Sequence, residues 1–233
     1  MPTSTRSQRV WLFDLDDTLH DASTASLPHL HVSFGEYIQT HLGVDQATSD
    51  ALRRRYWIRY GATLLGLVRH HGVQADHFLH HTHLLPGLER RVRGHGGDLA
   101  ALWRLAGRKY ILTNAPEAYA RRVLRVLGIE RWFDGVISIE DMHMFGDLRP
   151  KPDARMLRHL AARLGVTPSR CVLVEDTLEH QKSARRVGMK TVWMQRWVRA
   201  AQASRSPGRV FKPMRPSYVD RRVSCLRVLL RGA

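Results

Sequence analysis

Four acids crowd the stretch RVWLFDLDDTLHDA, where Asp14, Asp16, Asp17 and Asp21 follow directly on an apolar run. Carboxylates this close repel one another unless a cation lies among them. Further reactive side chains recur at the ends of other apolar runs: Thr113 and Asn114 finish YILTN, Glu175 and Asp176 finish CVLVED, and Lys151 sits in RPKPD. A hard cation such as Mg²⁺ prefers carboxylates, carbonyls, waters and substrate phosphate. Asp14 and Asp176, helped by Glu175, are therefore expected to form an all-oxygen Mg²⁺ site. The ion would keep Asp14 ionised as a nucleophile and screen a phosphate dianion against it, which allows an aspartyl-phosphate intermediate. Lys151 would add a second positive charge. Asp16 is then the candidate to protonate the leaving alkoxide and later deprotonate the attacking water. That task asks for a raised pKa, which closeness to Asp14 and shielding from Lys151 would supply.

An open parallel sheet would gather these residues at one rim, because its ligands bind beyond the carboxyl ends of the strands. The pattern supports this. RVWLFDL, RKYILTNA, FDGVISI, RCVLVED and KTVWMQ read as strands, alternating with helices in PEAYARRVLRVLG, PDARMLRHLAARLG and LEHQKSARRVG. The expected fold is a doubly wound, Rossmann-like α/β core. About 75 wholly helical residues separate the first strand from the rest, so an all-helical cap over residues 20–92 is expected, with residues 1–19 and 93–233 forming the core. The Arg-, Ser- and Pro-rich stretch QRWVRAAQASRSPGRVFKPMRPS reads as a loop or mobile arm, and YVDRRVSCLRVLLRG as a last strand and helix.

Composition narrows the field. At 233 residues and 43% hydrophobic the chain can bury a core, and no run is long and apolar enough to span a bilayer. The basic start reaches Asp14 before a signal core can form, so a cytoplasmic protein is expected. With two cysteines, Cys171 and Cys225, a disulfide framework is not expected. The net charge of +16 and pI near 11 suit an anionic partner. Only five of the 37 basic residues are lysine, however, and the arginines are spread along the chain. No basic-aromatic module appears, so nucleic acid is not the expected partner.

The segments DLDDT, LTN, the lysine of RPKP, and VED match in order and spacing the four motifs of the haloacid dehalogenase (HAD) superfamily, which the chain resembles along essentially its whole length. The resemblance implies a HAD-type core with a helical cap after the first strand. It implies Asp14 as nucleophile, Asp16 as acid/base, Thr113 and Lys151 as phosphate binders, and Asp176 with Glu175 as the metal group, joined by the Asp16 backbone carbonyl. DLDDTLHDA together with YWIRYGATLLGLVRHHG further resembles the pyrimidine 5′-nucleotidase branch. That implies nucleoside monophosphates such as UMP and CMP as substrates. By position, Asn114 at a strand end, His20 just past the first motif at the cap hinge or a substrate entrance, and Tyr60 as a base-stacking residue are candidate substrate contacts. Two departures stand out: Asp17 replaces a frequent Asn and adds an acid near the metal, and His180 replaces an Asn that helps hold the acidic loop. Dehalogenases of the superfamily lack the second Asp, so Asp16 argues against that chemistry. Phosphomutases share all four motifs and stay open, as does a non-catalytic nucleotide or nucleic-acid binder that kept the fold; the oligomeric state is open too.

Three local patterns have plainer readings. DLDDTLHDASTA fits a calcium loop at Asp14 and Asp16 but has Leu19 at the glycine position and Ala25 at the glutamate position. His77 and His81 form an i, i+4 pair among His77, His80, His81 and His83, but no third ligand follows at a recognisable spacing, so solvated or helix-terminal histidines are expected. Tyr56 and Tyr60 share a helix face and serve as packing residues, with base stacking as the alternative, and Arg59 could meet a phosphate.

Overall fold

The computed structural model describes residues 9–205 and 214–231. Its strands are β1 (Val10–Phe13), β2 (Arg108–Leu112), β3 (Gly135–Ile137), β4 (His143–Met144), β5 (Asp147–Leu148), β6 (Cys171–Glu175), β7 (Lys190–Met194) and β8 (Arg221–Val223). Its helices are α1 (Ala22–Ala25), α2 (Leu27–Leu42), α3 (Gln46–Tyr60), α4 (Thr63–His71), α5 (Ala75–Thr82), α6 (Leu88–Arg91), α7 (Gly96–Arg104), α8 (Glu117–Val126), α9 (Ala154–Arg163), α10 (Leu178–Arg186) and α11 (Arg196–Arg205). Six strands form one all-parallel sheet in the order β3-β2-β1-β6-β7-β8.

Position in this sheet explains the apolar run before Asp14. β1 is central, with Phe13 opposite Ile111 on one side and Val174 on the other. Both of its faces are covered, so none of its residues can be polar. Trp11 and Phe13 point into the cluster closed by α7, α8 and the C-terminal 3₁₀ turn, with Leu102, Tyr119, Val123 and Leu226. Val10 and Leu12 point into the opposite cluster with Met156, Leu160 and Ala184 of α9 and α10. Each such fully buried side chain contributes about 1.5–3 kcal/mol. This is the doubly wound α/β core.

Helices α1–α6 fill the gap between β1 and β2. They bury a third cluster around Tyr37, Ile38, Leu67 and Phe78, which also takes in Ile139. The chain leaves the sheet side and returns through adjacent segments: His20 bridges Gly94, and Asp21 N–H donates to Arg93 O at 3.0 Å. Helix ends follow local chemistry. Asp45 caps α3 by accepting from Thr48 N at 2.8 Å, and Gly61 ends that helix at φ 78°, a conformation that favours glycine.

Three elements were not expected: α7, the β4–β5 hairpin and α11. Residues 196–205 are helical rather than loop. Arg, Ala and Gln in RWVRAAQASR are good helix formers, and Arg196 Nε is anchored 2.5 Å from Asp98 Oδ2. Of the rest of that expected arm, residues 206–213 lie outside the described residues. Both cysteines are free, and burial pushes the Cys171 thiol up to about 11. Among the described residues no helix is long and apolar enough to cross a membrane.

Candidate active site

The carboxyl ends of β1, β2 and β6 lie side by side, and the sheet register brings their terminal residues together. Asp14 N–H donates to Val174 O at 2.9 Å, which locks the first motif beside the end of β6. Among the described residues, Asp14, Glu175 and Asp176 form one trio whose ligand oxygens lie within 4.8 Å of one another. Lys151 is 2% exposed and completes the cluster, with Nζ 2.7 Å from Asp14 Oδ1 and 2.7 Å from Glu175 Oε2. The ammonium thus joins residues 137 and 24 positions away in sequence.

The electrostatics show a site short of positive charge. Burial and the neighbouring Glu175 charge push Asp14 up to about 8, against the pull of Lys151. Asp176 is likewise raised well above the usual range by burial and by Glu175 and Asp14. Glu175 is the exception: although buried, it is held low by Lys151 and His180. Three carboxylates and one ammonium leave surplus negative charge in a desolvated pocket, which an oxygen-loving divalent cation would neutralise. The donor set fits Mg²⁺. Trp193 Nε1 donates to Asp176 O at 2.8 Å, and Gln181 Nε2 donates to Glu175 O at 2.9 Å, so this acidic loop is fixed from behind. His180 Nδ1, at the position where the resemblance has an Asn, lies 3.0 Å from Glu175 Oε2.

Asp16 behaves differently from expectation. Burial works to raise its pKa, but hydrogen bonds from His20 and Tyr119 outweigh burial and leave it below the ordinary value. His20 Nε2 is 2.9 Å and Tyr119 Oη 2.6 Å from Asp16 Oδ1, and Tyr119 Oη is 2.8 Å from Ser26 Oγ. The raised pKa expected from closeness to Asp14 and shielding from Lys151 is therefore corrected by two donors that come from elsewhere. His20 is fully buried against Asp16 and bridges Gly94, so of the two expected positions it takes the hinge rather than an entrance. Asp17 is tied to α1, with Oδ1 accepting from Ser23 N at 2.8 Å and Oδ2 from Ser23 Oγ at 2.5 Å, and its charge is still near enough to help raise Asp176. Tyr119 went unnoticed in the sequence because its spacing matches the buried face of α8. The available signal was a tyrosine on that face one turn past the Pro116 that starts the helix.

Asn114 acts on the backbone of Lys151. Its Nδ2 donates to Lys151 O and its Oδ1 accepts from Lys151 N, both at 2.9 Å. Thr113 is buried, and its Oγ1 accepts from Ala115 N at 3.0 Å, turning the loop after β2. Asn114→Ala would free the lysine loop without touching the ammonium. We expect it to lower kcat about 10²-fold while the folded fraction by circular dichroism stays intact. Tyr60 stands apart from this cluster: its Oη is 2.6 Å from His70 Nε2, and Arg59 and Arg69 lie 5.6 and 5.9 Å from its ring centre. The adjacent Gly61 nevertheless abuts the core, since a Cβ there would lie 3.4 Å from Pro152 Cδ, next to Lys151.

Behind Tyr119 sits His83, 9% exposed, with its ring 5.8 Å from that of Tyr119 and its Nδ1 3.1 Å from Leu79 O. Burial lowers its pKa to about 4, from the ordinary 6.5. The folded value lies below the unfolded one, so the stability from keeping it neutral is fully present above pH 6.5 and lost as pH falls through 4. The loss should approach about 3 kcal/mol. Urea midpoints between pH 7 and 4 measure it, and His83→Gln should remove that share of the slope.

A comparison with protein families matches residues 9–188 to the haloacid dehalogenase-like hydrolases. Phosphate metabolism protein 8 of Saccharomyces cerevisiae is 23% identical over 201 residues, covering 81% of this chain and 62% of that protein. The chain thus spans less than two thirds of the yeast protein's length. Fructose-1-phosphate phosphatase YqaB of Escherichia coli is 30% identical over 95 residues, covering 41% of this chain and 48% of that one. Among solved structures, CbbY from Rhodobacter sphaeroides in complex with phosphate superposes with a TM-score of 0.62 at 18% identity, over 95% of this chain and 96% of that one. With the four motifs gathered at one end of the sheet and the family match covering most of its length, this chain belongs to the haloacid dehalogenase-like hydrolase family.

Proposed function

We propose that this protein is a Mg²⁺-dependent phosphomonoester hydrolase acting through an aspartyl-phosphate, with nucleoside 5′-monophosphates, pyrimidine ones foremost, as substrates. The observation that carries the proposal is Lys151 Nζ set 2.7 Å from both Asp14 and Glu175, beside the Asp176 carboxylate. Lys151 holds Asp14 Oδ1 and leaves Oδ2 to attack phosphorus in line. Its charge also offsets that of the incoming phosphate. Asp14 and Asp176, with the Asp16 carbonyl, would hold Mg²⁺; Glu175, occupied by Lys151, chiefly sets the ammonium. When bound, the ion supplies charge neutralisation at the phosphate. Thr113 lies at the end of β2, where its hydroxyl can meet a phosphate oxygen.

Asp16 is fixed by His20 and Tyr119 as a base in the resting site. A bound phosphate dianion raises its proton affinity, which lets it protonate the leaving oxygen before it deprotonates the hydrolytic water. Helices α1–α6, residues 20–92, serve as the cap that closes over substrate and excludes water. The contact of Gly61 with Pro152 supports this, because it sets the α3–α4 corner, and with it Tyr60, beside the Lys151 loop.

Phosphate release from UMP, CMP, AMP, phosphoglycolate, hexose phosphates and pyrophosphate, with Mg²⁺ and with EDTA, tests the reading. UMP and CMP should lead, and EDTA should abolish turnover. The names of the E. coli relative and of a Bacillus velezensis one, the pyrophosphatase PpaX, favour small non-nucleoside phosphates as the second reading, and a lead for those substrates would select it. Tyr60→Ala should lower kcat/KM for UMP about 10-fold, as expected for a lost stacking contact, and leave an aryl phosphate unchanged; equal losses on both would remove base stacking.

A further inference from the structure

The histidine-rich stretch of α5 gains a partner that the sequence could not reveal. His77 and His81 stand one turn apart, with ring centres 4.2 Å from each other. The last turn of α2 brings His41 alongside, 5.1 Å from His77 and 6.3 Å from His81. Three imidazoles sharing one tetrahedral ion have ring centres roughly 5 Å apart, because each Zn–N bond is about 2.0–2.1 Å. The observed spacings bracket that value; as the rings stand, their nitrogens do not all lie within 4.8 Å of one another, and His81, which is exposed and makes no hydrogen bond to Tyr37, is the ring that turns to meet the other two.

Tyr37 prepares two of the three. His41 stacks on its ring at 3.9 Å and donates from Nδ1 to Tyr37 O at 2.9 Å, which leaves His41 Nε2 as the bare nitrogen. His77 Nδ1 is 2.7 Å from Tyr37 Oη, so its Nε2 also faces outward. Metal-binding imidazoles are held in this way, with the second nitrogen tied to a carbonyl or hydroxyl that fixes tautomer and ring plane. Local loss of hydration beside the packed rings, and the charges that His77, His80 and His41 would carry, keep His81 below its usual pKa, which favours the neutral, ligating form.

We propose that His41, His77 and His81 form a binding site for Zn²⁺ or a similar imidazole-loving divalent ion, one that clasps α2 to α5 on the surface of the helical layer. The site is separate in place and in chemistry from the carboxylate cluster: nitrogen ligands select zinc-class ions, whereas Mg²⁺ takes oxygen.

The test uses the full chain without an affinity tag, freed of metal and held in millimolar Mg²⁺. Titration with Zn²⁺ by calorimetry should show one tight site per chain, and Zn²⁺ should raise the thermal midpoint. His41→Ala and His81→Ala should each weaken Zn²⁺ binding at least 10-fold and abolish the midpoint shift, while folding normally because both residues are exposed. His159→Ala should bind as the parent does. Binding that survives in the His41→Ala, His81→Ala double variant would overturn the proposal. So would binding lost in Asp176→Asn but retained in the histidine variants, which would place the ion among the carboxylates.

Discussion

Lys151→Met is expected to remove most of the activity and a large part of the stability together. The ammonium is almost wholly buried, and its two partners, Asp14 and Glu175, are buried with it. Methionine matches its length but not its charge, and two carboxylates would then face each other and Asp176 without a counter-ion. Breaking a buried ion pair from one side costs about 3–5 kcal/mol, because the abandoned charge stays desolvated. The loss of charge stabilisation at the phosphate should lower kcat a further about 10²–10³-fold, as removal of one preorganised donor does. Urea unfolding and steady-state phosphate release measure the two effects, and high Mg²⁺ should restore part of the stability but not the turnover. A variant as stable as the parent would show that Lys151 is not the charge that holds these acids together.

Asp14→Asn should separate what Lys151→Met combines. An amide cannot form the acyl phosphate, so phosphate release should fall by at least about 10⁴-fold. Stability should move the other way. The raised pKa of Asp14 shows that its ionised form is disfavoured in the fold, by burial first and by Glu175 next. Removing that charge relieves the repulsion and leaves Lys151 paired with Glu175, so the thermal midpoint without Mg²⁺ should equal the parent's or exceed it by a few degrees. Active sites commonly hold such unfavourable charge for the sake of chemistry. A variant that keeps turnover would exclude Asp14 as nucleophile, and a strongly destabilised one would show that the carboxylate has a structural role.

The sequence made the sheet and its reactive rim legible for one physical reason. A central strand buried on both faces must be apolar throughout, so the first polar residue after VWLF had to mark the strand's end, and the same holds for YIL before Thr113 and CVLV before Glu175. What stayed hidden involves partners chosen by packing. Tyr119 follows the buried spacing of α8, and nothing local tells that its hydroxyl reaches Asp16 across 103 positions. The sign of the Asp16 shift was missed for the same reason, since a count of nearby acids omits donors from other helices. Asn114 was expected near substrate because of where it stands, yet its amide bonds a backbone, which carries no mark in the sequence. His41 lies 36 positions before His77, beyond any spacing rule for a metal ligand. The helix in residues 196–205 was obscured by the Pro and Ser that follow it.

The placement of β1 at the middle of the sheet also bears on how the chain is made. This strand leaves the ribosome before both of its neighbours, which begin only at Arg108 and Cys171. During synthesis both of its edges and both of its apolar faces therefore wait, unpaired, while the helical segment emerges and folds on its own local contacts. The arrangement in which Asp14 first meets Asp176 can therefore form only after the end of β6 has emerged, long after its central strand.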